Sequence, residues 1–122
     1  MLRKLEEVAE SLRKTDGVKA AYLFGSYATG KEKPYSDLDV CVITEPDVSE
    51  KTKREILSNS SRNIDIKLFW SLPPSIRIRV IREGRPLFEK DRLLVHRAKT
   101  SAIRQYLDLK PLLDLHYARM LG

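Results

Sequence analysis

The chain has 122 residues, a formal net charge of +6 and 42% hydrophobic residues. This length suits one compact domain, and this apolar content supports a folded core and excludes wholesale disorder. One cysteine, Cys41, excludes an internal disulfide and is interpreted as a small buried hydrophobe. No apolar run approaches the ~20 residues of a membrane span and no signal-peptide pattern is present, so we expect a cytoplasmic protein with no membrane partner.

The first half of the chain predicts a helix followed by two strands. Apolar residues recur at helical spacing through residues 1–15, and Asp16-Gly17 ends this helix. Residues 18–24 are an apolar run without polar alternation, which predicts a strand buried on both faces. Residues 38–44 are rich in β-branched side chains and predict the second strand.

A helix and a third strand are predicted next. Asp47 or Ser49 is the expected cap of a helix that ends at about Ser58. Residues 63–69 then alternate with a period of two, which predicts a strand with Asp65 in its middle. One face of this strand carries Ile64, Ile66 and Leu68. The other face carries Asp65, Lys67 and Phe69.

The next segment contains a helix and an edge strand. Residues 76–80 alternate like a strand, but prolines at 73 and 74 and Gly84 at the end favour a helix. Residues 86–89 predict a short edge strand, where a leading proline is tolerated. Together these elements predict an α/β (α+β) fold, with a small mixed sheet of three to four strands and packed helices.

The C-terminal segment predicts a helix with an apolar stripe, formed by Ala102, Tyr106, Leu109, Leu113 and Met120. Pro111 kinks this helix or splits it in two. We assign residues 1–90 to a core and residues 91–122 to a helical extension packed on the same domain. The stripe either covers this core or faces another protein, and we favour partial self-packing with a remainder that contacts a helical partner or a second copy.

Several basic, aromatic and histidine residues carry a weaker signal. A basic cluster follows the third strand and faces nucleotide phosphates, RNA or, as we expect, solvent; its members are Arg77, Arg79, Arg82 and Arg85. Tyr106 and Tyr117 are too few for a base-stacking platform, so direct nucleic-acid binding is not expected. His96 and His116 lack metal-ligand spacing, and both are assigned packing or surface roles.

The strongest functional signal lies between the first two strands. Gly25-Ser26 ends the first strand, and a turn of this kind offers backbone N–H groups to an anion. Asp37 and Asp39 begin the second strand at positions i and i+2, so their carboxylates share one face. Because close carboxylates repel each other, a divalent cation is favoured between them. The pattern predicts a site for a metal-bound nucleoside triphosphate.

Asp65 is a candidate third carboxylate. An aspartate in a central strand requires a metal or an ionic partner, because burying an isolated charge is costly. A salt bridge to a residue such as Arg62 is the alternative to metal binding.

The stretch GSYATGKEKPYSDLDVCV resembles the signature of the DNA polymerase β-type nucleotidyltransferase superfamily: Gly-Ser, a short loop, then Asp-x-Asp between apolar residues. The small size of the chain is similar to the minimal nucleotidyltransferase branch, many of whose members are antitoxins encoded beside a HEPN-domain ribonuclease. The resemblance implies a polymerase β-like fold over residues 18–90. It also implies AMP transfer from ATP to a hydroxyl, with a tyrosine of a partner HEPN toxin as the expected acceptor.

The resemblance also implies roles for individual residues. Gly25 and Ser26 would hold the terminal phosphates, and Ser36 would contact phosphate or metal. Many relatives carry arginine where this chain has Thr29, and Lys31 lies nearby as a replacement charge.

For the carboxylates, the resemblance implies binding of two Mg²⁺ ions. Asp37 and Asp39 would each bind both ions, while Asp65 would bind the ion nearer the acceptor and help deprotonate the attacking hydroxyl. The alternatives are a non-catalytic antitoxin that acts by docking and a transferase for a small molecule, and a homo-oligomer is compatible with each of them.

Overall fold

The computed structural model of the protein describes residues 2–25 and 38–121. Its elements in chain order are α1 (Leu2–Arg13), β1 (Val18–Phe24), β2 (Leu38–Thr44), α2 (Glu50–Leu57), β3 (Ile64–Leu68), a 3₁₀ turn (Phe69–Ser71), α3 (Pro74–Glu83), β4 (Arg85–Glu89) and α4 (Arg92–Leu121). The described strands form one mixed sheet in the order β3-β2-β1-β4, with β2 and β3 parallel and the other neighbours antiparallel. The predicted α/β class and small mixed sheet are therefore confirmed.

Local sequence signals account for the helix boundaries. Gly17, in the turn between the end of α1 at Arg13 and the start of β1, has a φ of +89°, a left-handed conformation that glycine adopts without strain. Ser49 is the cap of α2, because its Oγ accepts a hydrogen bond of 3.1 Å from the Thr52 N–H. Of the two predicted caps, Ser49 is thus correct and Asp47 is not. The predicted proline start of α3 and its end at Gly84 are also confirmed.

Each face of the sheet is covered by its own pair of helices. On one face, the α1 residues Leu5, Val8 and Leu12 and Ile56 of α2 pack against the sheet. On the other face, Val80 of α3 and the α4 residues Val95, Ala98 and Ala102 form a second cluster with Phe69. Phe69 was predicted on the same face as Asp65, and it is fully buried there just after β3 ends. Two of the predicted acidic side chains, Asp39 and Asp65, belong to this second face.

Helix α4 continues past its buried half as one helix through Pro111. Of the two predicted effects of Pro111, a kink or a split, the split is therefore wrong; a proline removes one backbone N–H bond, and here the helix continues past it. Ala102 is the last buried residue among the described side chains of α4. Of the predicted stripe, Tyr106 and Leu109 are partly exposed, while the side chains of Leu113 and Met120 lie outside the described set.

Arg77 joins three elements on the second face of the sheet. Its guanidinium donates hydrogen bonds to the backbone oxygens of Phe69 and Trp70 in the 3₁₀ turn. It also donates to Gln105 Oε1 of α4 at 2.7 Å and lies over the rings of Phe69 and Trp70. This member of the arginine cluster is thus part of the packing rather than of a solvated face.

We expect Arg77→Met to lower the free energy of unfolding by about 1–3 kcal/mol, because methionine keeps the apolar stem but leaves the two backbone oxygens without their charged donor. Urea denaturation monitored by circular dichroism measures the change. Arg82→Met is the matched control, since Arg82 is an exposed arginine on the same helix. Equal unfolding midpoints for the two variants would contradict this role.

Candidate active site

Two of the predicted carboxylates, Asp39 and Asp65, lie on neighbouring strands. They are direct register partners in the parallel pair of β2 and β3. Because side chains alternate along a strand and in-register residues share a face, both carboxyl groups belong to the second face of the sheet. The strands thus bring together two acids that are 26 positions apart in the sequence.

Asp65 differs from its prediction in one respect, because β3 is an edge strand of the described sheet and not a central one. Its side chain is 46% exposed and lies 3.3 Å from Lys67 Nζ. Solvent and this ion pair already stabilise the charge, so burial alone does not require a metal at Asp65. Lys67 is its partner in the structure, not Arg62.

The outer edge of β3 is largely closed by the chain that precedes it. Ser61 and Ile64 exchange backbone hydrogen bonds of 2.9 and 3.3 Å. The Ile66 N–H donates to Ser60 Oγ at 3.3 Å. This closure protects the strand from pairing with another chain while leaving the Asp65 side chain accessible on the face of the sheet.

Gly25 lies directly against the Asp39 carboxylate. It follows the β1 residue Phe24, which is the register partner of Asp39, and it has a φ of +80°. A Cβ at this position would be 2.6 Å from Asp39 Oδ2, closer than real Cβ atoms approach other atoms. Both the left-handed backbone and the close approach therefore require glycine at the end of β1.

The other predicted site residues are Ser26, Ser36 and Asp37, and they lie outside the described residues, as do Thr29 and Lys31. Among the described residues, no three His, Cys, Asp or Glu side chains come together as ligands for a metal ion. The described part of the site therefore consists of Gly25, Asp39 and Asp65. The convergence of three carboxylates stays a prediction.

Helix α3 forms one wall of a cavity beside Asp39. The cavity has a volume of about 230 Å³ and is lined by Phe24, Gly25, Asp39, Ile76, Arg79 and Glu83. The α3 members recur at positions i, i+3 and i+7, one face of a helix. The sequence placed Arg79 in a basic cluster without distinguishing it from its neighbours, and it gave no role to Glu83.

Two titratable groups on the same face of the sheet are packing groups. Cys41 follows Asp39 by two residues and is fully buried, and this burial raises the pKa of its thiol to about 12. Burial and then a hydrogen bond donated to Glu89 Oε1 raise the pKa of Tyr22. Both side chains are therefore protonated at neutral pH, and neither is suited to act as a base.

Two further observations concern the C-terminal half and the surface. His96 is exposed, and the side chain of His116 lies outside the described set. No helix in the described part of the chain is both long and apolar enough to cross a membrane. The expected cytoplasmic location stays a prediction.

The chain is similar to solved structures of toxin–antitoxin complexes. One, a toxin–antitoxin complex with AMP-PNP, has a TM-score of 0.77 and 18% identity and covers 98% of this chain and 98% of that one. Another, a tri-AMPylated Shewanella oneidensis HEPN toxin in complex with an MNT antitoxin, has a TM-score of 0.73 and 17% identity over 99% of this chain and 98% of that one. At these identities the likeness establishes the fold.

Sequence comparison establishes the family. A protein of Methanocaldococcus jannaschii named as a protein adenylyltransferase is 35% identical over 66 residues, which are 54% of this chain and 52%, about half, of that protein's length. The family model described as "Polymerase beta, Nucleotidyltransferase" matches residues 6–93. This range contains every described residue of the candidate site, and the chain belongs to the polymerase beta nucleotidyltransferase family.

Proposed function

We propose that this protein is a metal-dependent nucleotidyltransferase that transfers AMP from ATP to a tyrosine hydroxyl of a HEPN-domain toxin, and so acts as its antitoxin. The observation that carries the proposal is the in-register pair of Asp39 and Asp65, with Gly25 packed against Asp39. The family, the adenylyltransferase relative and the structural neighbours that contain an ATP analogue or an AMPylated toxin support the same chemistry.

The donor set of the site fits magnesium. Two carboxylates lie side by side, Asp65 is open to solvent, and Asp39 is bordered by a residue without a side chain. Carboxylate oxygens are hard ligands of the kind that Mg²⁺ binds together with phosphates and water. Asp39 and Asp65 would hold the metal with Asp37, and two bound ions would supply positive charge at the attacking and leaving oxygens.

The residues of this chain bind and orient the reactants. Gly25 and Ser26 would hold the terminal phosphates and Ser36 would contact phosphate or metal, so that the α-phosphate lies beside Asp39. The acceptor oxygen attacks the α-phosphorus, and the bond from this phosphorus to the oxygen of the leaving pyrophosphate breaks. Asp65, at the solvent-exposed edge of the sheet, helps remove the hydroxyl proton. Most of the rate enhancement then comes from position and charge.

The test uses the full chain, the HEPN-domain protein encoded beside it and ATP labelled on the α-phosphate. We expect label on the partner and release of pyrophosphate in equal amounts, both prevented by EDTA. ATP labelled on the γ-phosphate is the control and should leave the partner unlabelled. Absence of label and of pyrophosphate, with the partner bound, would contradict catalysis and support the docking alternative.

A partner surface is proposed on the second half of α4. Beyond Ala102 this helix carries large apolar side chains that are exposed: Ile103, Leu107, Leu112 and Leu115. Ile103 and Leu107 are four positions apart and Leu112 and Leu115 are three apart, so the members of each pair are neighbours on the helix surface. Exposed apolar pairs of this kind are typical of a helix that packs on another protein. We assign this surface, defined by these four residues, to the HEPN toxin, because four of the six large apolar side chains that are exposed among the described residues lie on this one helical segment.

A further inference from the structure

The cavity beside Asp39 also contains a cationic side chain, on the wall that α3 forms. Arg79 lines the cavity from α3 together with Ile76 and Glu83, one and two turns of the helix apart. Of the described residues that line this cavity, Arg79 is the basic one, and Asp39 and Glu83 are acidic. An arginine placed across from a carboxylate site is suited to bind the anionic part of a substrate that also contacts the metal.

The ion pair that holds Arg79 is weak. Its Nη2 atom lies 3.7 Å from Glu83 Oε2, and the Arg79 side chain is 61% exposed. An exposed pair at positions i and i+4 contributes little to stability, and its long side chains exchange partners readily. A phosphate offers the guanidinium a multiply charged acceptor with the geometry for two parallel hydrogen bonds, which a glutamate at 3.7 Å does not provide.

We propose that Arg79 binds the polyphosphate of ATP in this cavity and leaves Glu83 when the nucleotide enters. This inference rests on the proposed function and deepens it by naming a nucleotide-binding residue outside the Gly-Ser and carboxylate motifs. Glu83 then has the opposite effect: it competes with the phosphates for Arg79 and adds negative charge beside them. The two residues are therefore expected to change ATP affinity in opposite directions.

The first measurement is ATP binding by isothermal titration calorimetry with Mg²⁺ present, on four single variants. We expect Arg79→Ala to weaken ATP binding by about 10- to 100-fold, the loss typical of a charge-assisted hydrogen bond. Arg79→Lys should recover part of this loss, because lysine keeps the charge but not the fork of donors. Glu83→Gln should raise the affinity about twofold, because it removes the competing negative charge. Arg82→Ala is the control on the same helix and should leave the affinity unchanged.

The second measurement is steady-state AMP transfer, which separates binding from chemistry. Arg79→Ala should raise the KM for ATP by the same factor as it weakens binding, while transfer at saturating ATP stays within about threefold of the wild type. Thermal melts within about 2 °C of the wild type are expected for every variant, because Arg79 and Arg82 are exposed, Glu83 is partly exposed and the ion pair is weak.

The outcomes separate the inference from the function on which it rests. If the wild type binds ATP and transfers AMP, but Arg79→Ala behaves like Arg82→Ala, the role of Arg79 is wrong and the proposed function stands. If Glu83→Gln weakens ATP binding as much as Arg79→Ala, the pair acts as a structural unit and the competition is wrong. If the wild type neither binds ATP nor transfers AMP, both proposals are overturned.

Discussion

Replacing Asp39 by asparagine is expected to reduce AMP transfer by about 10²- to 10⁴-fold and to leave the fold intact. The change keeps the shape that fits against Gly25 but removes one negative charge from the metal site. Loss of several kcal/mol of transition-state charge stabilisation corresponds to this range, since each 1.4 kcal/mol is a factor of ten. Stability should be unchanged or slightly higher, because the repulsion between Asp39 and Asp65 is removed.

Transfer of label from α-labelled ATP to the HEPN partner measures the activity, and urea denaturation measures the stability. Asp47→Asn is the matched control: it is the same chemical change at an exposed position in the loop after β2. The control should retain full transfer. Wild-type activity in Asp39→Asn would place the chemistry elsewhere in the molecule.

A variant of Asp65 can distinguish two roles for this residue. Its carboxylate either serves the reaction or only forms the ion pair with Lys67. If Asp65 serves the reaction, Asp65→Asn abolishes transfer, whereas Lys67→Met leaves it unchanged or raises it by freeing the carboxylate. If the ion pair is what matters, the two variants lose activity to the same extent. The comparison needs no assumption about the residues between Ser26 and Asp37.

The sequence predicted those features of the fold that depend on neighbouring residues. The alternation in residues 64–68 placed Asp65 opposite Ile64 and Ile66, because the two-residue period is a property of any strand. It did not predict that β3 is an edge strand. The position of a strand in a sheet, at the edge or in the centre, depends on how all the strands of the chain pair. The residue pattern within one strand carries no information about this pairing order.

The arginines of α3 show the same difference between what neighbouring residues determine and what packing across the chain determines. The sequence pattern places Arg77 and Arg79 in one cluster, although residues two positions apart lie about 200° apart around a helix and have different surroundings. Which of them contacts the 3₁₀ turn and which lines the cavity beside Asp39 depends on how α3 packs on the sheet. Similarly, the sequence predicted a turn at Gly25. It did not predict how closely Gly25 approaches the Asp39 carboxylate, because that distance depends on the antiparallel register of β1 and β2.

The exposed half of α4 carries the second large expected effect. We expect the double variant Ile103→Glu and Leu107→Glu to weaken binding of the HEPN partner by about 100-fold or more. Both side chains are exposed, at 42% and 59%, so charges are tolerated in the free protein. In a complex the same charges would be buried in an apolar contact without partners, at a cost of several kcal/mol.

Binding is measured by titration calorimetry with the full chain, and AMP transfer is followed in parallel at saturating ATP. Leu57→Glu is the control, because it adds the same charge at an exposed leucine of α2, on the other face of the sheet. Light scattering of the free protein tests the alternative that this surface joins two copies of the chain. If the wild type alone is a dimer that the double variant converts to a monomer, while toxin binding persists, the surface joins two copies of this chain and the assignment to the toxin is wrong.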